Sequence, residues 1–174
     1  MLNDERTIFL AVQVEKKAMQ ILNFIRGLFE YDGWANREAL ASLATVAGDA
    51  ERPRKYLSHV LGAQRVWLAR FADPNPPSAQ PWPTLTVEEC RQAIEDLHRQ
   101  WTALLDRLNP ERLDEDLTYR NTKGMEFRTP IRDVLMHLVM HSAYHRGQVA
   151  AAVRETGGKP AATDYAVYVR KMKA

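Results

Sequence analysis

The amino-acid sequence predicts an all-α protein: a four-helix bundle with a long crossover connection and a small hairpin before the last helix. Proline and glycine residues divide the 174-residue chain into four long segments. Within each segment apolar residues recur at steps of three and four, as on one face of a helix. A proline-rich stretch separates the second segment from the third. Long helices with one extended connection are typical of bundles, in which facing helices build sites in the core.

Composition and charge exclude several classes of protein. The chain carries 24 Lys and Arg against 22 Asp and Glu, a net charge of +2 with no basic block, so we expect no nucleic-acid partner. Its apolar runs are far shorter than the roughly 20 residues that cross a bilayer, so no membrane span is expected. Asp4 and Glu5 are acidic at positions where a secretory signal carries positive charge, so no secretory signal is expected. The single cysteine, Cys90, excludes an intrachain disulfide and a thiolate metal cage, and favours a cytoplasmic location.

The first helix is predicted from residue 21 until Gly48. Residues 1–20 are predicted to be an N-terminal extension of a domain that covers residues 21–174, and a candidate dimerisation or lid element. Within the extension, the apolar residues 8–14 leave a strand and a helical continuation both open. The apolar stripe of the first helix consists of Ile21, Ile25, Leu28, Phe29, Leu40 and Leu43.

The second helix begins near Pro53, which fits a first helical turn, and it ends at Asp73 and Pro74. Five prolines in residues 74–83 then predict an extended crossover in place of a further helix. The apolar stripe of this helix consists of Leu57, Val60, Leu61, Trp67, Leu68 and Phe71.

A capping-box pattern at Thr86 and Glu89 starts the third helix, which Asn109 and Pro110 end. Alternating apolar and polar residues on both sides of residues 121–124 then predict a short hairpin. Thr129 as N-cap and Pro130 at the first helical position predict the start of the last helix. With no breaker before residues 157–158, this helix spans about 27 residues, or roughly 40 Å.

Polar side chains interrupt the buried stripe predicted for the last helix. On a wheel of about 100° per residue, His141, His145 and Gln148 fall on the line of the apolar stripe. Unpartnered polar groups in a core cost a few kcal/mol each, so something must satisfy them. The apolar residues that define this line are Val134, Leu138 and Ala152.

Two histidines four residues apart on one helix can direct their ring nitrogens at one metal ion. His59, beside the apolar stripe of the second helix, is the candidate third ligand. Three neutral imidazoles leave coordination positions open, which is typical of catalytic sites. Hydrogen-bonded core histidines without a metal remain the alternative. The zinc-protease interpretation fails, because residues 142–144 contain no glutamate to act as general base.

Other polar residues are candidates around this site. His137 lies at the edge of the stripe and is a candidate outer partner, or a fourth ligand if the ion only joins two helices. Asn36 faces inward on the first helix, where its amide would orient a ligand or form an interhelical hydrogen bond. Arg146 lies just off the ligand face and is expected to be structural or to bind a carboxylate near the pocket. Tyr31, Asp32 and Trp34 are expected at the pocket mouth.

Two tryptophans, the single cysteine and one further histidine are predicted to have no role in the site. Trp67 and Trp101 fit apolar stripes and are expected to fill core volume. Cys90 lies on the stripe of the third helix and is expected to be inert. His98, with no polar partner nearby in sequence, is expected to be a surface residue.

Several segments together resemble the DinB family of damage-inducible bacterial proteins, part of the wider DinB/YfiT-like metalloenzyme superfamily. The resemblance covers roughly residues 21–170, and the His-Arg-Gly-Gln sequence that ends at Gln148 is its most specific element. The matching segments are Tyr31-Asp-Gly-Trp-Ala-Asn36, Ser58-His-Val-Leu-Gly-Ala63, the stretch from His137 to Gln148, and Asp164-Tyr-Ala-Val-Tyr168.

The resemblance implies a four-helix bundle that is often dimeric, with His59, His141 and His145 as metal ligands and nickel or zinc as the usual ion. Some relatives in the superfamily are transferases or isomerases that use a low-molecular-weight thiol. We therefore expect a metal-dependent enzyme acting on a small molecule, with a thiol as nucleophile in a transferase or water in a hydrolase. The alternative is a non-catalytic stress-response binding protein stapled by the metal. The family name implies neither DNA binding nor polymerase activity.

Overall fold

Four long helices, a hairpin and a short C-terminal helix make up the described part of the chain. The computed structural model describes residues 2–73, 76, 80–121 and 123–173, without the side chains of residues 2–11 and 173. The elements are α1 (Leu2–Leu43), α2 (Glu51–Ala72), α3 (Val87–Arg107), a 3-10 turn (Pro110–Asp114), β1 (Asp116–Arg120), β2 (Glu126–Pro130), α4 (Ile131–Glu155) and α5 (Tyr165–Lys173). This confirms the predicted all-α class with a hairpin before the last long helix.

The bundle forms because α1 and α2 each pack against both α3 and α4. The apolar stripes predicted from the sequence meet along its axis, except that Ile21 of the first stripe is exposed. Trp101 is 1% exposed and packs against Phe29 and Phe71, with ring centroids 5.1 and 5.7 Å apart. Its predicted role in the core is therefore confirmed. Cys90 is fully buried, and burial raises the pKa of its thiol, which makes it the inert residue that was expected.

The N-terminal segment continues the first helix. α1 passes through residue 20 without a break, so the strand alternative for residues 8–14 is wrong. Helix α1 ends at Leu43, before the predicted Gly48. The amides of residues 44–46 each donate to the carbonyl three residues earlier, which is the hydrogen-bond pattern of a turn and not of an α-helix. Gly48 lies in the following loop with φ 116°, a conformation that favours glycine. The boundary between residues 20 and 21 stays a prediction.

Both helices that flank the crossover begin in the predicted turns. Pro53 lies in the first turn of α2. At α3 the Thr86 hydroxyl accepts from the Glu89 amide, and the Glu89 carboxylate accepts from the Thr86 amide, which is the expected capping box. Residues 80–86 of the crossover are non-helical, as expected, whereas residues 74, 75 and 77–79 lie outside the described part of the chain.

The hairpin pairs β1 and β2 antiparallel, and it changes the start of α4. Thr129 pairs with Leu117 and Pro130 with Asp116, so both residues belong to β2. The predicted N-cap at Thr129 is therefore wrong: Pro130 is the N-cap, and α4 begins at Ile131, whose amide donates to the carbonyl of Glu115. The strand leads into the helix without a loop, and α4, which ends at Glu155, has 25 residues.

The C-terminal segment returns to the bundle as α5, a helix that the periodicity did not predict. α5 packs against α1, and the Tyr31 hydroxyl donates to the Thr163 carbonyl just before it at 2.7 Å. Tyr31 is therefore buried beneath this segment, where it lines a surface pocket with Thr163 and Tyr165 that does not include the three candidate histidines. None of the described helices is long and apolar enough to cross a membrane.

Candidate metal centre

His59, His141 and His145 meet between α2 and α4. One ring nitrogen of each lies within 4.8 Å of the others, which is close enough to share one ion. The Nε2 atoms of His59 and His141 are 3.2 Å apart. The ring centroids of His141 and His145 are 4.4 Å apart, as expected for histidines one helical turn apart. The sequence-predicted triad is thus brought together in space.

Neighbouring acceptors determine which nitrogen of two histidines is free. His59 Nδ1 lies 2.7 Å from the carbonyl oxygen of Pro81, which can only accept, so Nδ1 carries the proton and donates it. His145 Nδ1 donates in the same way to Oε1 of Gln148 at 2.7 Å. Both histidines therefore turn an unprotonated Nε2 toward the cluster. Outer hydrogen bonds of this kind orient metal-binding imidazoles and raise their basicity.

Burial keeps the centre of the cluster in the neutral form that binds metals. The pKa of His141 is lowered to about 4, first by burial and then by the neighbouring His145, His59 and His137. Burial also lowers the pKa of His59. Neutral imidazole is the ligand form, since a protonated ring has no free lone pair. His59 and His141 are therefore ready to coordinate at neutral pH without first losing protons.

Gly62 explains how the crossover reaches His59. A Cβ atom at this position of α2 would lie 2.5 Å from Cδ of Pro83 and 2.7 Å from the carbonyl oxygen of Pro81. Only a residue without a side chain lets this segment pack directly on the helix. The close approach places the Pro81 carbonyl on the His59 ring one helical turn away.

We expect Gly62→Ala to weaken metal binding roughly 10–100-fold, the typical cost of losing an outer partner. Although alanine favours the helix by about 0.5–1 kcal/mol, the crossover must move away and take the Pro81 carbonyl with it. Titration of the metal-free protein with Zn²⁺ measures the effect. Gly27→Ala is the matched control, because a Cβ there meets nothing within 4 Å. Equal affinities in the two variants would show that the crossover does not orient His59.

Gln148 offers a second test of the outer hydrogen bonds. We expect Gln148→Ala to lower Zn²⁺ affinity by about 10–100-fold, because the His145 ring loses the acceptor that fixes its proton on Nδ1. Gln148→Glu keeps an oxygen that can accept from His145 Nδ1, and it should therefore retain the Zn²⁺ affinity. Calorimetric titration distinguishes the two variants. Similar losses in both would mean that the site depends on the side-chain N–H group of Gln148, which both variants lack, and not on its acceptor oxygen.

Two aromatic residues beside the cluster were missed by sequence reasoning. The Trp82 indole stacks on the His59 ring at 3.6 Å with an interplanar angle of 9°. The Tyr144 ring meets His145 edge-on at 5.0 Å. Tyr144 could have been found, since it directly precedes a predicted ligand. Trp82 could not have been found in this way. The crossover has no periodic pattern, so the sequence does not indicate where its side chains lie.

The deepest polar residues of α4 differ from those predicted. His141, His145 and Gln148 are half-buried at the edge of the core, whereas Ser142 and Arg146 lie at its centre. The buried face of α4 is thus shifted around the helix by about one residue from the predicted face, because the histidines face α2. This rotation leaves one side of the cluster near the surface.

Arg146 has the structural role that was one of its two expected roles, and it binds a carboxylate in the core. The Arg146 side chain is 1% exposed and forms an ion pair with Asp32 of α1. Its guanidinium also donates to Oδ1 of Asn36 at 3.0 Å and to the Tyr31 hydroxyl at 3.2 Å. Asn36 therefore makes the interhelical hydrogen bond that the sequence left as an alternative, and it does not reach the histidines through these bonds.

Gln64 of α2 extends this buried network toward the cluster. Its amide donates to the Asp32 carboxylate at 2.6 Å and to the hydroxyl of Ser142 at 3.3 Å. Three helices are joined in this way directly behind the residues that carry the imidazoles. The network fixes how α2 and α4 face each other.

The remaining candidate residues lie outside the cluster. His137 is exposed, with its ring centroid 5.6 Å from that of His141 and 5.7 Å from that of Trp67. It is not among the three residues whose ligand atoms converge in the described chain. Trp67 is half-buried and also packs on Tyr119, at 4.8 Å. His98 is half-buried, 3.5 Å from the Glu30 carboxylate, so it is not the unpartnered surface residue that was expected.

The three imidazoles fit a divalent ion. The free Nε2 atoms of His59 and His145, the lowered pKa values of His59 and His141 and the mutual distances of the three rings suit zinc or another imidazole-binding metal. Among the described residues, the group that can share one ion has three members, which leaves room in a four-coordinate site for a further ligand. The fold and the site define the class: a helical-bundle protein with a three-histidine cluster that is compatible with a metal site.

Comparison with known proteins identifies the family. The chain belongs to the DinB family, whose model matches residues 36–172. It is 25% identical over 162 residues to Protein DinB of Bacillus subtilis (strain 168), an alignment that covers 84% of this chain and 94% of that protein. No solved structure matches the chain significantly. The matched region contains all three histidines of the cluster.

Proposed function

We propose that the protein is a metal-dependent enzyme that transfers a group between a small electrophile and a low-molecular-weight thiol. His59, His141 and His145 would hold the divalent ion, with zinc or nickel as candidates because neutral imidazole suits both. The observation that carries the proposal is the convergence of three imidazole nitrogens within 4.8 Å at one edge of the bundle. A bound divalent ion supplies Lewis acidity that lowers the pKa of a thiol or a water toward neutrality.

The residues of the chain supply orientation and charge. The Pro81 carbonyl and the Gln148 amide hold two rings with Nε2 toward the centre. Because all three ligands are neutral, the charge of the ion remains uncompensated by them, which favours an anionic nucleophile over a neutral one. In a transfer, the thiol sulfur forms the new bond to the electrophilic carbon, the leaving group departs with the electron pair of the broken bond, and the thiol proton passes to solvent.

A turnover assay tests this function. Metal-loaded protein is incubated with small thiols and a panel of electrophiles, and free thiol and product are followed over time. We expect metal-dependent loss of the thiol together with formation of the thioether product. Product formed at the same rate without thiol would indicate a hydrolase. No turnover of any electrophile would favour a non-catalytic ion that joins α2 to α4.

A further inference from the structure

An apolar surface borders the open side of the histidine cluster. We propose that this surface, formed by Trp82, Met140 and Tyr144 and here called the apolar wall, binds a flat apolar group of the substrate. Such a group is aromatic or conjugated. This inference rests on the metal-dependent function proposed above and assigns the substrate class of the same site.

Trp82 forms the part of the wall that comes from the crossover. One face of its indole is covered by the His59 ring at 3.6 Å, and its edge approaches His145 with ring centroids 6.0 Å apart at 89°. The residue is nevertheless 45% exposed. Since His59 covers one face, the exposed area belongs to the rest of the ring, directly beside the cluster.

Met140 and Tyr144 form the part of the wall that comes from α4. They are 63% and 66% exposed, and each directly precedes a histidine of the cluster. Their four-residue spacing places them one above the other on the helix surface. The Tyr144 ring meets His145 at 5.0 Å and 86°. His145 thus has two exposed aromatic rings as neighbours, Trp82 and Tyr144.

The position of the wall favours a substrate group as its occupant. Ligand sites are lined mainly by apolar and aromatic side chains around a few polar groups that fix orientation. Here the polar groups are the three imidazoles, and Trp82 and Tyr144 lie directly beside two of them, so a molecule held by the imidazoles has these rings as neighbours. Aromatic rings favour stacked or edge-on contact with another ring by about 0.5–1.5 kcal/mol beyond area burial. A flat apolar group therefore gains more from this surface than a small or charged one.

A matched pair of probes tests the proposal without turnover. Acetohydroxamate and benzohydroxamate bind metals through the same group and differ in that a phenyl ring replaces a methyl group. We expect the zinc-loaded protein to bind benzohydroxamate about tenfold more tightly, since the phenyl ring is removed from water against the wall. Isothermal titration calorimetry gives both affinities, and the metal-free protein is titrated in parallel.

Variants of the wall assign the preference to its residues. Trp82→Ala and Tyr144→Ala should each reduce the ratio of the two affinities toward one, whereas Phe24→Ala, an exposed aromatic on α1, should leave it unchanged. The ratio is the readout because a weakened metal site changes both affinities alike. Tyr144 is exposed enough that its replacement should not disturb folding. Equal affinities of the wild-type protein for the two probes would overturn the proposal.

The remaining outcomes distinguish failure of the wall from failure of the metal site. If both hydroxamates bind equally well, the metal site stands and the wall does not. If neither binds and the protein holds no zinc, the proposed function fails and this inference fails with it. If the wall is instead covered by a second copy of the chain, Tyr144→Ala will change the elution volume in size-exclusion chromatography while the affinity ratio stays the same, which also overturns the proposal.

Discussion

Replacement of Asp32 by Asn is expected to destabilise the protein by about 3–5 kcal/mol, because it leaves the Arg146 guanidinium charged and uncompensated in the core. Asp32 is 4% exposed and Arg146 is 1% exposed, so water cannot replace the lost carboxylate. Asparagine preserves the shape of the side chain, which separates the effect of charge from that of a cavity. For a chain of this length the melting temperature should fall by roughly 10 °C.

Two controls identify the cause of that loss. Asp96→Asn removes a carboxylate from an exposed ion pair with Arg99 and should cost less than about 1 kcal/mol. The double variant Asp32→Leu with Arg146→Met removes both charges and should recover most of the stability lost in Asp32→Asn. Chemical denaturation followed by circular dichroism measures all three. A double variant that is no more stable than Asp32→Asn would mean that hydrogen bonds, not the unpaired charge, dominate this network.

The second large effect concerns metal content. His141→Ala is expected to abolish stoichiometric metal binding, because His141 is one of three mutually close ligands, with its Nε2 3.2 Å from that of His59 and its ring centroid 4.4 Å from that of His145. Loss of a direct ligand should cost more affinity than the roughly 10–100-fold that loss of an outer partner costs. The fold should persist, since the side chain is only half-buried. Plasma emission spectrometry of the purified variant gives the metal content.

His137→Ala is the matched control for this change. His137 lies one turn earlier on α4, is exposed, and does not belong to the converging group. Its loss should leave the metal content at the wild-type level. Full metal content in His141→Ala, or an equal loss in both variants, would remove the three histidines from consideration as the ligand set.

Local patterns in the sequence predicted those parts of the structure that depend on near neighbours. The capping box at Thr86 and Glu89 and the pair of histidines on α4 both arise from fixed spacings within one helix. His59 was found because it lies beside the apolar stripe of α2, which placed it near a facing helix. The start of α4 was predicted one residue early, because Thr129 and Pro130 also suit the strand that precedes it.

Contacts between distant segments were not predictable in the same way. Asp32 and Arg146 are 114 residues apart in sequence, and their pairing depends on how α1 and α4 pack. One signal was available: Asp32 lies four residues before Asn36, which was predicted to face inward, so both share one face of the helix. Pro81 and Trp82 lie in the crossover, whose path follows from its close packing on Gly62 and not from any periodicity.

The central claim is that three imidazoles from two helices bind one divalent ion whose remaining side is open. Anomalous diffraction from crystals of the zinc-loaded protein, collected at the zinc absorption edge, tests it most directly. We expect one strong peak about 2.0–2.1 Å from Nε2 of His59, His141 and His145, with solvent at the remaining position beside Trp82. A peak elsewhere in the protein, or a fourth side chain completing the coordination, would contradict the account.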